Sequence, residues 1–245
     1  MNGIIANLKI SGPALRTCFK LLCRFAVLLT LLPPIMPLAL PLESGAGEAI
    51  KLPEASHDGK VSLEKATLER RSVREFKDAP LTLAELAQLL WAAQGTTSPS
   101  GFRTAPSAGA LYPLEIFVLA GKVDGLSPGV YRYGPKNHDL SRTGEGDRRA
   151  DLCAAALNQV PIRTAPAVLL ISAVFKRTTG KYGDRGVRYV HMESGNASQN
   201  ISLQAVSLGL GTVVIGAFND KAVKSVLGMG EEEPLLIMPI GRPSG

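Results

Sequence analysis

The chain has 245 residues, 45% of them hydrophobic and 5% aromatic, with a formal net charge of +6. That length and composition suit one medium globular domain with a sizeable core. Four of the basic residues (Lys9, Arg16, Lys20 and Arg24) fall in the first 24 positions with no acid among them. The other charges alternate in sign, and no Lys/Arg tract is interleaved with aromatics, so a nucleic-acid partner is not expected.

The basic start leads into the apolar run Phe25 to Leu32, then Pro33 and Pro34, a second apolar patch, and the small residues Ser44 to Ala49. These are the three parts of an export signal, with cleavage after Ala46 or Ala49. The expected location is therefore outside the cytoplasm, periplasmic or at the cell envelope. An uncleaved anchor over residues 1–49 is the rival, and only then is membrane contact expected. Cys18 and Cys23 lie in this segment, so cleavage leaves Cys153 alone, without a disulfide partner. Its apolar surroundings suit a buried small hydrophobe better than a nucleophile. With His57, His138 and His191 as the only histidines and no Cys-x-x-Cys, no metal site is expected.

Residues 50–61 read as a polar arm, and helical spacing starts at Leu63 and runs to Arg71. Thr82-Leu83-Ala84-Glu85 is a capping box opening a helix that Gly95 closes. A Thr/Ser/Pro/Gly-rich loop follows to Ser107, then a buried strand over Glu115–Ala120. A short hairpin is expected from Gly129–Tyr133 to Asp139–Leu140 across Gly134-Pro135-Lys136-Asn137. Next come a helix over Arg148–Asn158, a strand over Ala167–Val174 and a charged polar segment from Lys176 to Arg188. A long helix over Tyr189–Leu208 is stopped by Gly209 and Gly211. A strand at Thr212–Ile215, a helix at Lys221–Leu227 and a strand at Leu235–Ile240 finish the chain. Strands and helices are interspersed without strict alternation or internal repeat, so residues 50–245 read as one α+β domain.

Within that domain, Arg70-Arg71-Ser72-Val73-Arg74 concentrates guanidinium forks and a hydroxyl, the donor types that hold phosphate oxygens. If the stretch is helical, Arg70 and Arg74 share a face and Arg71 turns away. A solvated basic face explains it as well when it is taken alone. Gln199 and Asn200 suit either donors to a ligand or a buried helix junction.

Four segments in order resemble the nitroreductase superfamily, in the version of its SagB-type dehydrogenase branch. They are Arg70 to Phe76; Ala105-Pro106-Ser107-Ala108-Gly109-Ala110-Leu111-Tyr112-Pro113-Leu114-Glu115; Glu193 to Asn200 with Gln204-Ala205 and Gly209 to Phe218; and Pro234 to Pro243. The resemblance spans roughly residues 63–243. It implies a mostly antiparallel central sheet flanked by helices, an intertwined homodimer, and FMN held at the subunit interface. Carried over residue by residue, Arg70, Ser72 and Arg74 grip the FMN phosphate, with Arg242 as a fourth member. Pro106, Ser107 and Ala108 run along the flavin, and Ile215 and Gly216 present backbone to its N5, with glycine chosen for close approach. Ala110 and Tyr112 stand where many members have Asn and Gln, so the ring's polar edge needs another donor, such as Gln199.

In azoline-oxidising relatives a Lys-Tyr pair in the charged segment removes a proton, which marks Lys181 and Tyr182 as the catalytic candidates; a solvated lid loop is the rival reading. The implied activity is an FMN-dependent hydride transfer to or from a small organic substrate, with NAD(P)H or another electron donor. Azoline dehydrogenation of peptides and a non-catalytic flavin-binding scaffold are the alternatives.

Overall fold

The computed structural model describes residues 49–245. The expected export signal lies outside the described residues except for Ala49. Among the described residues a seven-stranded sheet has the order β1-β6-β5-β3-β7-β9-β8. These strands are β1 (Ile50–Lys51), β3 (Leu114–Ala120), β5 (Gly129–Gly134), β6 (Asp139–Glu145), β7 (Ala167–Ala173), β8 (Gly211–Thr212) and β9 (Glu233–Gly241). Every neighbouring pair in this sheet is antiparallel, as the resemblance implied. A separate two-stranded parallel ladder joins β2 (Leu81–Thr82) to β4 (Val123–Asp124).

The central strands are buried on both faces, which explains their unbroken apolar runs. Side chains alternate across a strand. Ile116 and Val118 of β3 and Leu169 and Ile171 of β7 therefore join one core cluster, while Phe117, Leu119, Val168 and Leu170 join the other. The first cluster is covered by α2 (Leu83–Gln94) and α6 (Arg185–Ser207) through Leu86, Leu89, Leu90, Val190, Ala197 and Ile201. The second is covered by α3 (Arg149–Ala155), α4 (Pro161–Thr164) and α7 (Asp220–Leu227) through Leu152, Ile162, Val223 and Leu227. Cys153 is buried in that second cluster, as expected of an inert thiol.

Local signals explain most boundaries. Thr82 accepts from the Glu85 backbone N–H and Glu85 bonds back to the Thr82 N–H, so the capping box opens α2, and Gly95 ends it. Asn219 caps α7 in the same way, accepting from the Ala222 N–H. Leu157 and Asn158 both adopt left-handed φ, which stops α3 before the expected end. The arm at 50–61 is more firmly held than its polarity suggests. β1 pairs with β6, Leu52 is buried, and Gln88 clasps Ser56 by accepting from its N–H and donating to its carbonyl.

Two differences matter for function. The charged segment after β7 is a helix, α5 (Lys176–Tyr182), and the long helix begins one turn early, at Arg185. The helix α1 (Leu63–Glu69) stops at Arg70, whose φ of −55° and ψ of 121° leave the helical region, so residues 70–74 do not continue it. Instead Ser72 bridges to Thr212 in parallel, and Phe76 bridges to Pro243. The chain lies along the outer edge of the sheet, where the Val73 N–H donates to the Thr212 carbonyl at 2.9 Å and the Lys77 N–H to the Arg242 carbonyl at 2.9 Å.

Gly211 makes this approach possible, because a Cβ there would sit 2.6 Å from Val73 Cβ. Gly211→Ala is therefore expected to destabilise the protein by about 1–3 kcal/mol, the usual cost of overpacking. Urea unfolding of the variant would measure it; an unchanged midpoint would show that Val73 can move aside.

Candidate functional site

The sequence-marked residues form two groups. The first is the edge segment. An extended chain repeats every two residues, so Arg70, Ser72 and Arg74 fall on one side while Val73 turns toward Gly211. This corrects the helical expectation, under which Ser72 would not share a face with both arginines. The tertiary ladder to β8 and β9 overrides the helix propensity of the run. Ser72 and Arg74 are exposed and Arg70 is half-buried. Among the described residues neither Arg70 nor Arg74 has a carboxylate within ion-pair distance. Arg71 is spent locally, donating to the Leu68 and Arg70 carbonyls.

Arg242 sits at the base of this group, yet its guanidinium donates to Glu85 at 2.9 and 3.2 Å. It thus fastens the end of β9 to the capping box of α2. Ile215 lies three residues further along the same edge and exchanges both backbone hydrogen bonds with Ile237. Gly216 follows it, exposed, and a Cβ on it would meet nothing within 4 Å. Within this chain no steric demand for glycine exists there, so the position is open to an approach from outside the chain.

The second group surrounds the loop from Arg103 to Pro113. Thr104 is held from both sides, its hydroxyl donating to the Trp91 carbonyl and its N–H to the Gly95 carbonyl. Asn200 donates to the carbonyls of Ala92 and Thr104, so it belongs to a helix junction. Gln199 is exposed on α6. Pro106 is exposed, and Ser107 and Ala108 are half-buried. The Ser107 hydroxyl accepts from the Tyr112 N–H at 2.8 Å. Left-handed backbone follows at three residues, with φ of 65° at Gly109, 54° at Ala110 and 45° at Tyr112, Leu111 at −86° lying between the last two. The Tyr112 ring lies under Arg103, whose charge centre is 4.4 Å from the ring centroid. Arg103 in turn donates to the buried Gln94.

Lys181 and Tyr182 belong to this second group. A Cβ at Gly109 would be 2.8 Å from Tyr182 Oη and 3.0 Å from Lys181 Nζ, so both functional atoms rest against the loop. Their helix, α5, is anchored by Arg177, which pairs with Glu115 at 2.6 Å and donates to the Tyr112 carbonyl at 3.1 Å. Glu115 also pairs with Arg132, which reaches Glu232. Tyr182 packs edge-on against Tyr189 of α6 at 5.1 Å between centroids.

Sequence reasoning assigned no role to Glu193, which is only 5% exposed and accepts from the Ala108 N–H at 2.9 Å. Burial pushes its carboxyl above the usual carboxylate range, partly offset by the bonds from Ala108 and Ser107. A signal was present, because Glu193 lies on the buried stripe Val190–Ala197–Ile201–Ala205 of α6, where an acid requires a reason. His191, its neighbour, is exposed and stacks edge-on with Phe175.

The two groups do not meet within one chain. The loop and α5 flank the Leu114–Ala173 end of the sheet, whereas the edge segment adjoins the Ile240–Gly241 end. Seven paired residues separate those ends along β3 and β7, a distance of about 20 Å at the rise of a strand.

Comparison with known proteins places this geometry in a family. The nitroreductase family profile matches residues 67–242, and the chain belongs to that family of oxidoreductases. MJ1384 of Methanocaldococcus jannaschii, which carries a nitroreductase name, is 50% identical over 193 residues, covering 79% of this chain and 96% of its own. A nitroreductase-named crystal structure from Ralstonia eutropha superposes with a TM-score of 0.71 at 29% identity, covering 81% of this chain and 91% of the other. The microcin B17-processing protein McbC of Escherichia coli is 27% identical over 169 residues, 66% of this chain and 62% of McbC. The family, the α+β fold and the kinship with the SagB-type branch thus agree with the sequence reading.

Glu193→Ala should cost about 1–3 kcal/mol by orphaning the Ala108 N–H, while Glu193→Gln keeps an acceptor and the loop. A carboxyl raised by folding binds more protons in the native than in the unfolded state. Its contribution therefore makes stability fall as pH rises from about 4 through the raised value. Urea titrations across that range should show a shallower fall for Glu193→Gln than for the parent; an identical slope would assign the pH dependence elsewhere.

Proposed function

We propose that the protein is an FMN-dependent oxidoreductase whose phosphate clamp is Arg70, Ser72 and Arg74. The observation that carries the proposal is the extended edge segment, which presents two guanidinium groups and a hydroxyl on one side with no carboxylate among the described residues to neutralise them. Clustered unpaired arginines repel, so an anion belongs there. The donor set fits a phosphomonoester, since Arg forks and a Ser hydroxyl match its oxygens in number and geometry. Arg242 contributes through position, since Glu85 occupies its guanidinium. Ile215 and Gly216 continue the edge away from the clamp, leaving room for an elongated ligand along it.

FMN when bound would supply the hydride-accepting chemistry that no side chain offers. The chain's own residues bind, orient and handle protons. Lys181 Nζ and Tyr182 Oη are the atoms we assign to hold or deliver a proton beside Gly109, and the Lys181 ammonium over the Tyr182 ring ties the pair together. Glu193 fixes the loop against which they work.

The separation of about 20 Å between clamp and loop favours a homodimer in which each site takes the clamp from one chain and the loop with Lys181 and Tyr182 from the other. An apolar substrate with NAD(P)H or another donor fits this reading. The likeness to McbC favours azoline dehydrogenation of a peptide as the second reading. The sequence of residues 1–49 supports work outside the cytoplasm, where a donor other than a nicotinamide would serve.

Arg70→Ala with Arg74→Ala should weaken FMN retention on the order of a hundredfold while the fold survives. The flavin absorbance of the purified variant measures this, and a full yellow complement would sink the clamp. Lys181→Ala should slow substrate turnover on the order of a hundredfold but leave flavin reoxidation by oxygen nearly unchanged, in stopped-flow absorbance. Equal loss in both would make Lys181 a structural residue. Coexpressing the clamp variant with the Lys181 variant should restore activity, because a mixed dimer contains one intact composite site; no recovery would refute the shared arrangement.

A further inference from the structure

The clamp is one of two places where the described fold clusters cations without neutralising them. The other is the corner between α5 and α6. From residue 176 to 192 the chain carries Lys176, Arg177, Lys181, Arg185 and Arg188 against a single acid, Asp184. Arg177 is consumed by Glu115 and the Tyr112 carbonyl. Lys176, Lys181, Arg185 and Arg188 are all exposed, and among the described residues none has a carboxylate within ion-pair distance. Glu193, the nearest further acid on α6, is buried and turned to Ala108.

The corner's position gives it a use. Tyr182 rests on Tyr189, and Arg185 and Arg188 flank Tyr189 on the first turn of α6, at i−4 and i−1. Arg185 and Arg188 are three apart and Met192 follows four later, so the three share one helix face. Met192 is 61% exposed. Two unpaired guanidinium groups and an exposed thioether thus lie on the first turns of the helix whose Tyr189 carries Tyr182, the neighbour of Lys181.

We infer that this corner recognises an anionic group, a carboxylate or sulfonate, on an otherwise apolar substrate whose reacting atom lies at Lys181 and Tyr182. The inference rests on the oxidoreductase reading and adds its substrate class. A rim with this excess of positive charge over the single acid Asp184 concentrates the opposite charge and orients it, and its effect weakens with salt.

Equilibrium dialysis of the purified flavin-loaded protein against 4-nitrobenzoate and 4-nitrobenzamide tests it, since the two differ in charge at matched size. The anion should bind about tenfold more tightly at low ionic strength and lose that margin at high salt. Arg185→Ser with Arg188→Ser should erase the preference while leaving amide binding and flavin content unchanged. Equal binding of the two compounds, a preference insensitive to salt, or a preference that survives the double substitution would overturn the inference. So would a double variant that weakens NADPH binding alone, which would give the corner to the electron donor. Turnover is scored separately: failure to reduce either compound counts against nitro reduction as the activity, whereas the dialysis decides the charge preference.

Discussion

The burial of β3, β7 and β9 on both faces is the constraint from which the rest of the molecule follows. Strands with apolar side chains in both directions need a helical layer on each side, and α2 with α6 and α3 with α7 supply them. Nothing polar can be placed in the middle of such a sheet without an orphaned group. Chemistry is therefore driven to the strand ends and to the one edge that carries extra chain. The segment carrying Arg70, Ser72 and Arg74 takes the edge beside β8, and Lys181 and Tyr182 take the opposite end, where β3 begins and β7 stops. The distance between them is set by the length of the ladder.

The loop from Ser107 to Tyr112 shows how such a scaffold supports strain. Two non-glycine residues in left-handed backbone cost on the order of 1–3 kcal/mol each. The offsets come from three different elements: Glu193 of α6 holds Ala108, Arg177 of α5 holds the Tyr112 carbonyl, and Arg103 stacks on the Tyr112 ring. Because those supports converge on one turn, the side chains beside it inherit its rigidity. Lys181 and Tyr182 gain placement without being buried themselves.

How much of this could be read beforehand depends on whether the cause was local. The α2 start was legible because Thr82 and Glu85 satisfy each other within one turn, and the long helix was legible from its repeating small apolar stripe. The four motif segments, met in order, carried the family. What escaped was set at long range. Residues 70–74 have helical composition, but their backbone partners lie at Thr212 and Arg242, far along the chain. α5 has almost no apolar face, and it is tied to the fold at long range by the Arg177–Glu115 pair and by Tyr182 against Tyr189. The pairing of Arg242 with Glu85 depends on a residue far along the chain, and Glu193 was visible only as an acid on a buried stripe. Gly216 carries the family pattern without a steric reason inside its own chain, consistent with a requirement imposed from outside it.

The shortness of β8 has a further consequence. Only Gly211 and Thr212 pair regularly on this side, and the chain from Ser72 to Phe76 shields what would be an open strand edge. Open edges are templates for pairing with other chains, and natural proteins cover or shorten them. Here the cover is the same segment that carries Arg70, Ser72 and Arg74. On the proposed clamp, a bound anion that drew those three residues together would also fasten the cover, so ligand loss would promote aggregation as well as inactivity. Ligand occupancy would then govern how much of the protein survives in soluble form during synthesis and storage, independently of its catalytic work.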